Sequence, residues 1–139
     1  MSKIVLISCA SKKLAHKAKA KDLYISPLFC GNLTYARSMQ PDKIFILSAK
    51  YGLVDLEQEL ESYNQTLNEM SAWENKQWAE KVIEQMCNKG VDFTNDEITF
   101  LAGEKYRKNL VSHFQKVSIP MQGLSIGRQL KYLKEQGAL

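Results

Sequence analysis

Three short apolar runs constrain this chain more than anything else in it: KIVLIS over 3–8, KIFILS over 43–48 and EITFLA over 97–102. Each is nearly continuous hydrophobe rather than an alternation of apolar and polar residues. Alternation marks a strand with one wet face, whereas a continuous run of strand length suits a strand covered on both faces, the condition of a parallel sheet. A weaker run, KVSIP over 116–120, has the same pattern.

Helical periodicity fills the gaps. Ser26 as N-cap and Pro27 at the first helical position open a helix over 26–39, with Leu28, Tyr35, Ala36 and Met39 on one side. Ser71 and Glu74 form a capping box ahead of an amphipathic stripe of Trp78, Val82 and Met86, ending near Gly90. The stretch 104–114 places Tyr106, Leu110 and Phe114 together, and the last helix stacks Ile126, Leu130 and Leu133. Strands alternating with helices predict an α/β fold: one three-layer domain over 1–139, with a mainly parallel sheet of about four strands and helices on both faces. The length of 139 residues and a hydrophobic fraction of 45% suit one such core.

Right-handed crossovers bring the carboxyl ends of all parallel strands to one edge, where ligands bind. The residues just past each run are therefore informative. After the first come Ser8, Cys9, Ser11, Lys12 and Lys13; after the second, Ser48, Lys50, Tyr51 and Gly52; after the third, Gly103 and Tyr106; after the fourth, Gly123 and Gly127. Small residues and hydroxyls stand at the strand ends with cations just outside them. Each has a plainer reading as a strand stop, a turn glycine or a core-edge tyrosine. The joint pattern predicts one cleft lined by Ser8, Lys12, Ser48, Lys50, Tyr51, Gly103 and Gly127.

Charge adds a second pointer. Lys12, Lys13, Lys17, Lys19 and Lys21 precede the first acid of that stretch, Asp22, within a chain of net charge +4. Such a run is a solvated face or an anion-attracting rim. Cys9, Cys30 and Cys87 match neither a disulfide framework nor a zinc spacing, so no metal and no cofactor is expected. The opening MSKIVLIS is too short an apolar run for a signal h-region or a membrane span, so a reduced, cytoplasmic protein without membrane contact is expected.

The segments ISCASKK, DLYISPLF, ILSAKYGLV, YNQTL, LAGEKYRKNL and IPMQGLSIGRQLKYL resemble, in order, the signature stretches of a small bacterial and phage domain family that stands beside the peroxide-stress protein YaaA. More distantly, the Ser/Cys-rich loop after the first strand is similar to that of the uracil-DNA-glycosylase-like superfamily, including a domain of an archaeosine-related tRNA-modifying enzyme. The resemblance implies a base-recognising α/β domain. YaaA-like relatives carry Pro-Tyr-Asp where this chain has Ser62, Tyr63 and Asn64, and Asn64 cannot ionise as a general base would.

Two functions are expected on these grounds. One is an enzyme that cleaves or exchanges an N-glycosidic bond in nucleic acid or a nucleotide. Lys12, Ser48, Lys50 and Asp22 would be catalytic, with Asp55 and Glu104 as further carboxylates. Tyr24, Tyr51 or Tyr63 would stack on the base. The other is a DNA- or nucleotide-binding protein without turnover, which needs only the cations and an aromatic platform. Either way the partner is nucleic acid or a nucleotide.

Overall fold

A computed structural model describes residues 1–139. The chain opens with β1 (Lys3–Ser8), β2 (Ala18–Lys19), α1 (Ala20–Leu23) and α2 (Pro27–Ser38). Next come β3 (Lys43–Ser48), β4 (Gly52–Asp55), β5 (Glu59–Leu60) and α3 (Ala72–Asn88). It closes with β6 (Glu97–Leu101), α4 (Glu104–Arg107), β7 (Lys116–Ser118) and α5 (Ile126–Glu135), and single 3-10 turns lie at Leu67–Glu69 and Val111–His113.

The expected parallel strands are all present. β1 lies at the centre, parallel to β3 on one side and to β6 on the other, and β7 extends the sheet beyond β6. A fifth strand, β4, pairs antiparallel to β3, giving the order β4-β3-β1-β6-β7. Ile4 to Ile7, Phe45 to Leu47 and Ile98, Phe100 and Leu101 are buried, which explains why their runs lack alternation. They join one contiguous core of 31 buried apolar residues. α2 packs on β1 and on α5, and α3 packs on β4.

The start signals hold for the two longest helices. Ser26 accepts the amide of Phe29 ahead of Pro27, and Ser71 and Glu74 close their box at 3.1 and 3.0 Å. Trp78, Val82 and Met86 are buried as the stripe requires. Two expectations fail. The helix over 104–114 breaks after Arg107, because Asn75 Nδ2 takes the carbonyl of Lys105 at 3.1 Å and Leu110 N turns back to Arg107 O. Leu110 and Phe114 are buried all the same. Ile126 leaves its stripe and is 65% exposed. The two-stranded β2–β5 ribbon has no apolar run to announce it.

The segment SAKYG forms a hairpin turn between β3 and β4. Ser48 pairs with Gly52, and Gly52 has φ +76°, a conformation that disfavours any side chain. An added Cβ would collide with Gln85 Oε1. That glutamine of α3 clamps the turn: its oxygen accepts from Leu53 N at 2.8 Å and its amide donates to Tyr51 O at 3.1 Å. Gly52→Ala is therefore expected to destabilise by about 1–3 kcal/mol in thermal or urea unfolding, since strain and a displaced clamp act together. A neutral result would mean that Gln85 does not hold this turn.

The basic run is largely answered within the chain. Lys19 and Lys21 pair with Glu57 at 2.9 and 2.7 Å, and Lys17 with Glu59 at 3.5 Å. Hydrogen bonds from Lys21 and Lys19 hold the Glu57 carboxyl down to about 2. Lys12 and Lys13 make no salt bridge. The rim expected of five lysines thus reduces to two.

Candidate functional site

The chain leaves β1 for β3 on one side, then passes over to β6 and β7 on the other. Strand order therefore reverses between β1 and β6, and a crevice opens where neighbouring connections part company. Cys9 comes directly after β1 there, and Gly103 precedes α4 after β6. The Cys9 thiol spans the crevice and donates to the Tyr106 hydroxyl at 3.3 Å.

Beneath that contact runs a buried polar chain. The hydroxyls of Tyr24 and Tyr63 share a hydrogen bond of 2.6 Å, and Tyr63 shares another of 2.8 Å with Ser48 Oγ. Ser48 Oγ also accepts from Tyr51 N at 3.1 Å, and its carbonyl accepts the Trp78 indole N–H at 2.9 Å. Burial, reinforced by the nearby Cys9, pushes the Tyr24 hydroxyl up to about 12 and raises Tyr63 and Tyr106 as well. All three phenols are neutral at pH 7, so they act as hydrogen-bonding groups and not as bases.

The single cleft expected from the sequence is not what the fold builds. Ser8 pairs with Leu47, so Ser8 and Ser48 point to opposite faces of the sheet. Ser48 is 0% exposed and fully engaged, which removes it as a catalytic hydroxyl. Tyr24 and Tyr63 are likewise buried, leaving no face for a base. Lys50 stands exposed at the hairpin tip, its ammonium 5.2 Å over the Tyr51 ring, which in turn meets the Tyr63 ring at 84°. Asp22 is exposed on α1, and Asp55 is tied to Lys89 at 2.8 Å.

Three cavities open on this edge instead. One of about 450 Å³ holds Gly103, Glu104, Arg107 and Gly123. A second, about 320 Å³, holds Ser8, Cys9 and Ser11 with the starts of α2 and α5. The third, about 260 Å³, brings Cys9, Ser11, Lys13, Asn64 and Tyr106 together with Gln65, Thr66, Asn68 and Glu69. Lys12, Ser48, Lys50, Tyr51, Gly52, Asp22 and Gly127 line none of the three. A larger cavity of about 530 Å³ lies towards the other end of the strands, over Val5, Thr99 and Ser118. It lies away from the crevice, and Met39 and Pro41 of the connection after α2 line it beside strand residues.

In the third cavity Lys13 is the cation in place. Its Nζ donates to Ser11 O at 3.2 Å and lies 4.6 Å over the Tyr63 ring, and burial lowers its pKa, partly opposed by Cys9. Sequence reasoning found Lys13, Cys9 and Asn64 but missed Gln65, Asn68, Glu69 and, in the second cavity, Asn32. The dense amides of YNQTLNE were a signal for the first three. A polar residue on the buried side of α2 was the signal for Asn32.

A family model described as "Family of unknown function (DUF6884)" matches residues 4–135. The chain belongs to that family. No curated protein and no solved structure matches it. No helix is long and apolar enough to cross a membrane.

Proposed function

We propose that this chain recognises a nucleobase-bearing anion, a nucleotide or a nucleic-acid strand, in the cavity between the loop after β1 and residues 64–69. One observation carries the reading: Lys13 and the amides of Asn64, Gln65 and Asn68 line the same small cavity at the strand switch point. An amide offers a donor beside an acceptor, the pattern of a base edge, and a lysine ammonium suits a phosphate. The reading takes the chain as one three-layer domain over 1–139, with α2 and α5 on one face of the sheet and α3 on the other, as right-handed crossovers require. It also keeps the YaaA-like and glycosylase-like kinship and a cytoplasmic setting as parts of the proposal.

Cleavage of an N-glycosidic bond is the second reading, and Glu69 favours it. It is the carboxylate in that cavity, where Asn64 occupies the position expected of an acid and Asp22 lies elsewhere. A carboxylate there would stabilise positive charge on the sugar or activate water, while Lys13 and backbone N–H groups would support the departing base.

The test is incubation with nucleosides, nucleotides and short oligonucleotides, then thermal unfolding and chromatography for free base. A rise in Tm of a few degrees that shrinks with added salt supports binding. Free base that disappears in Glu69→Gln supports cleavage. Neither shift nor release with any probe overturns both readings.

A further inference from the structure

We propose that the cavity of about 450 Å³ between the end of β6 and residues 119–125 is a separate site, for a small monocarboxylate on an apolar body. Arg107 is the residue that marks it. Of the chain's arginines, Arg37 and Arg128 are exposed and Arg107 alone is partly buried. Its guanidinium is held by a hydrogen bond from Nη1 to the carbonyl of Ala102 at 2.9 Å, and Ala102 and Arg107 line the same cavity. Nε and Nη2 have no partner in the chain, and no acidic side chain pairs with the group. Both nitrogens are open to solvent, since Asn32 Oδ1 is the one sealed side-chain polar atom that lacks a partner. Together they form the side edge of the guanidinium, two parallel N–H groups spaced for the two oxygens of a carboxylate.

The rest of the wall sets the charge of the ligand. Glu104, three residues before Arg107 on α4, is exposed, lines the same cavity and makes no ion pair. No other charged residue lines it, so the formal charge of the wall is zero. A dianion such as a phosphate monoester would meet one cation beside one anion, with no second cation to replace its lost hydration. A monocarboxylate needs only the free edge of Arg107.

Two further features narrow it. Ala102, Ile119 and Leu124 are half-buried on this wall, an apolar surface that the body of the ligand would cover. A bare anion would leave that surface wet. A Cβ at Gly103 or Gly123, both on the wall, would meet nothing within 4 Å, so the space beside them is open. The cavity shares no residue with that of Lys13 and the amides of residues 64–68, so this site does not depend on the nucleotide reading.

The experiment titrates the ¹⁵N-labelled full chain near neutral pH with benzoate and three controls: its neutral isostere benzamide, acetate, and phenyl phosphate. The expected result is that benzoate shifts the Arg107 Nε–H signal and the backbone amides of Gly103, Gly123 and Leu124. Each control should bind there at least tenfold more weakly: benzamide lacks the charge, acetate the apolar body, and phenyl phosphate brings a charge too many. Arg107→Lys keeps the cation and loses the paired N–H edge, so benzoate binding should fall at least tenfold. Glu104→Gln should narrow the gap between benzoate and phenyl phosphate, while Lys13→Ala should leave it intact. No shift at Arg107, a control that binds as tightly as benzoate, undiminished binding in Arg107→Lys or an unchanged gap in Glu104→Gln each overturns the proposal. The comparison of the four probes on the unaltered chain decides the matter even if a variant fails to fold. It also stands whether or not nucleotides bind at Lys13.

Discussion

Trp78→Ala is expected to lower the free energy of unfolding by about 3–5 kcal/mol in urea denaturation. Trp78 is 6% exposed and belongs to α3, the helix that packs on β4. Its ring meets Tyr106 edge to face, with centroids 5.7 Å apart at 89°. Its indole N–H donates to the carbonyl of Ser48 at 2.9 Å, where β3 gives way to the hairpin. Truncation removes a large buried surface, leaves a cavity and strips a buried carbonyl of its donor. Trp78→Phe separates these terms: it keeps most of the ring and loses the hydrogen bond, for an expected loss of about 1–3 kcal/mol. Small domains have only about 5–15 kcal/mol in hand, so the alanine variant should sit near the edge of folding. A loss under about 1 kcal/mol for Trp78→Ala would mean that α3 is not docked through this residue.

The largest effect on ligand binding is expected at Lys13. Lys13→Ala should raise the Kd for a nucleotide at least tenfold in calorimetric titration, about 1.4 kcal/mol or more. Folding should change little, because the side chain gives up an exposed hydrogen bond to Ser11 O and a contact over the Tyr63 ring worth about 0.5–1 kcal/mol. Lys17→Ala is the control, since its charge is already met by Glu59 on an exposed ribbon. The pH profile gives a second readout. Burial disfavours the charged form and lowers the Lys13 pKa from 10.5, and only the charged form attracts an anion. Affinity should be complete well below the lowered pKa and fall as pH rises through it, earlier than an ordinary lysine would give. Lys13→Arg stays charged and should abolish that fall. Undiminished nucleotide binding in Lys13→Ala would place the anion elsewhere.

Continuous apolar runs made the central strands legible, because burial on both faces forbids polar alternation. Caps made α2 and α3 legible, because their chemistry is local: Ser26 with Pro27, and Ser71 with Glu74, act within one turn. What stayed hidden depends on distant partners. β4 reads as the tail of a strand end until Gln85, more than thirty residues on, clamps the turn. The break after Arg107 depends on Asn75, and the burial of Ser48 on Tyr63 and Trp78. The site was legible as an edge and not as a cavity. Strand ends locate the edge, but strand register decides which face each side chain takes, and it separates Ser8 from Ser48. Pairing of Lys17, Lys19 and Lys21 with Glu57 and Glu59 was equally invisible, since the ribbon that joins them has only two residues in each strand.

The position of β1 has a consequence for how the molecule comes into being. β1 is synthesised before the other strands of its sheet and becomes the middle of it, and its neighbour on one flank, β6, pairs Glu97 with Lys3 and Leu101 with Ile7. A growing chain must keep Val5, Leu6 and Ile7 out of trouble until residues 97–101 have been made. β3 and its hairpin arrive earlier and shield one flank, while the other stays an open row of amides and carbonyls beside apolar side chains. Pairings so remote in sequence close slowly. The hazardous species for this protein is thus the half-made chain, and any product that stops short of residue 97 carries a ready template for aggregation.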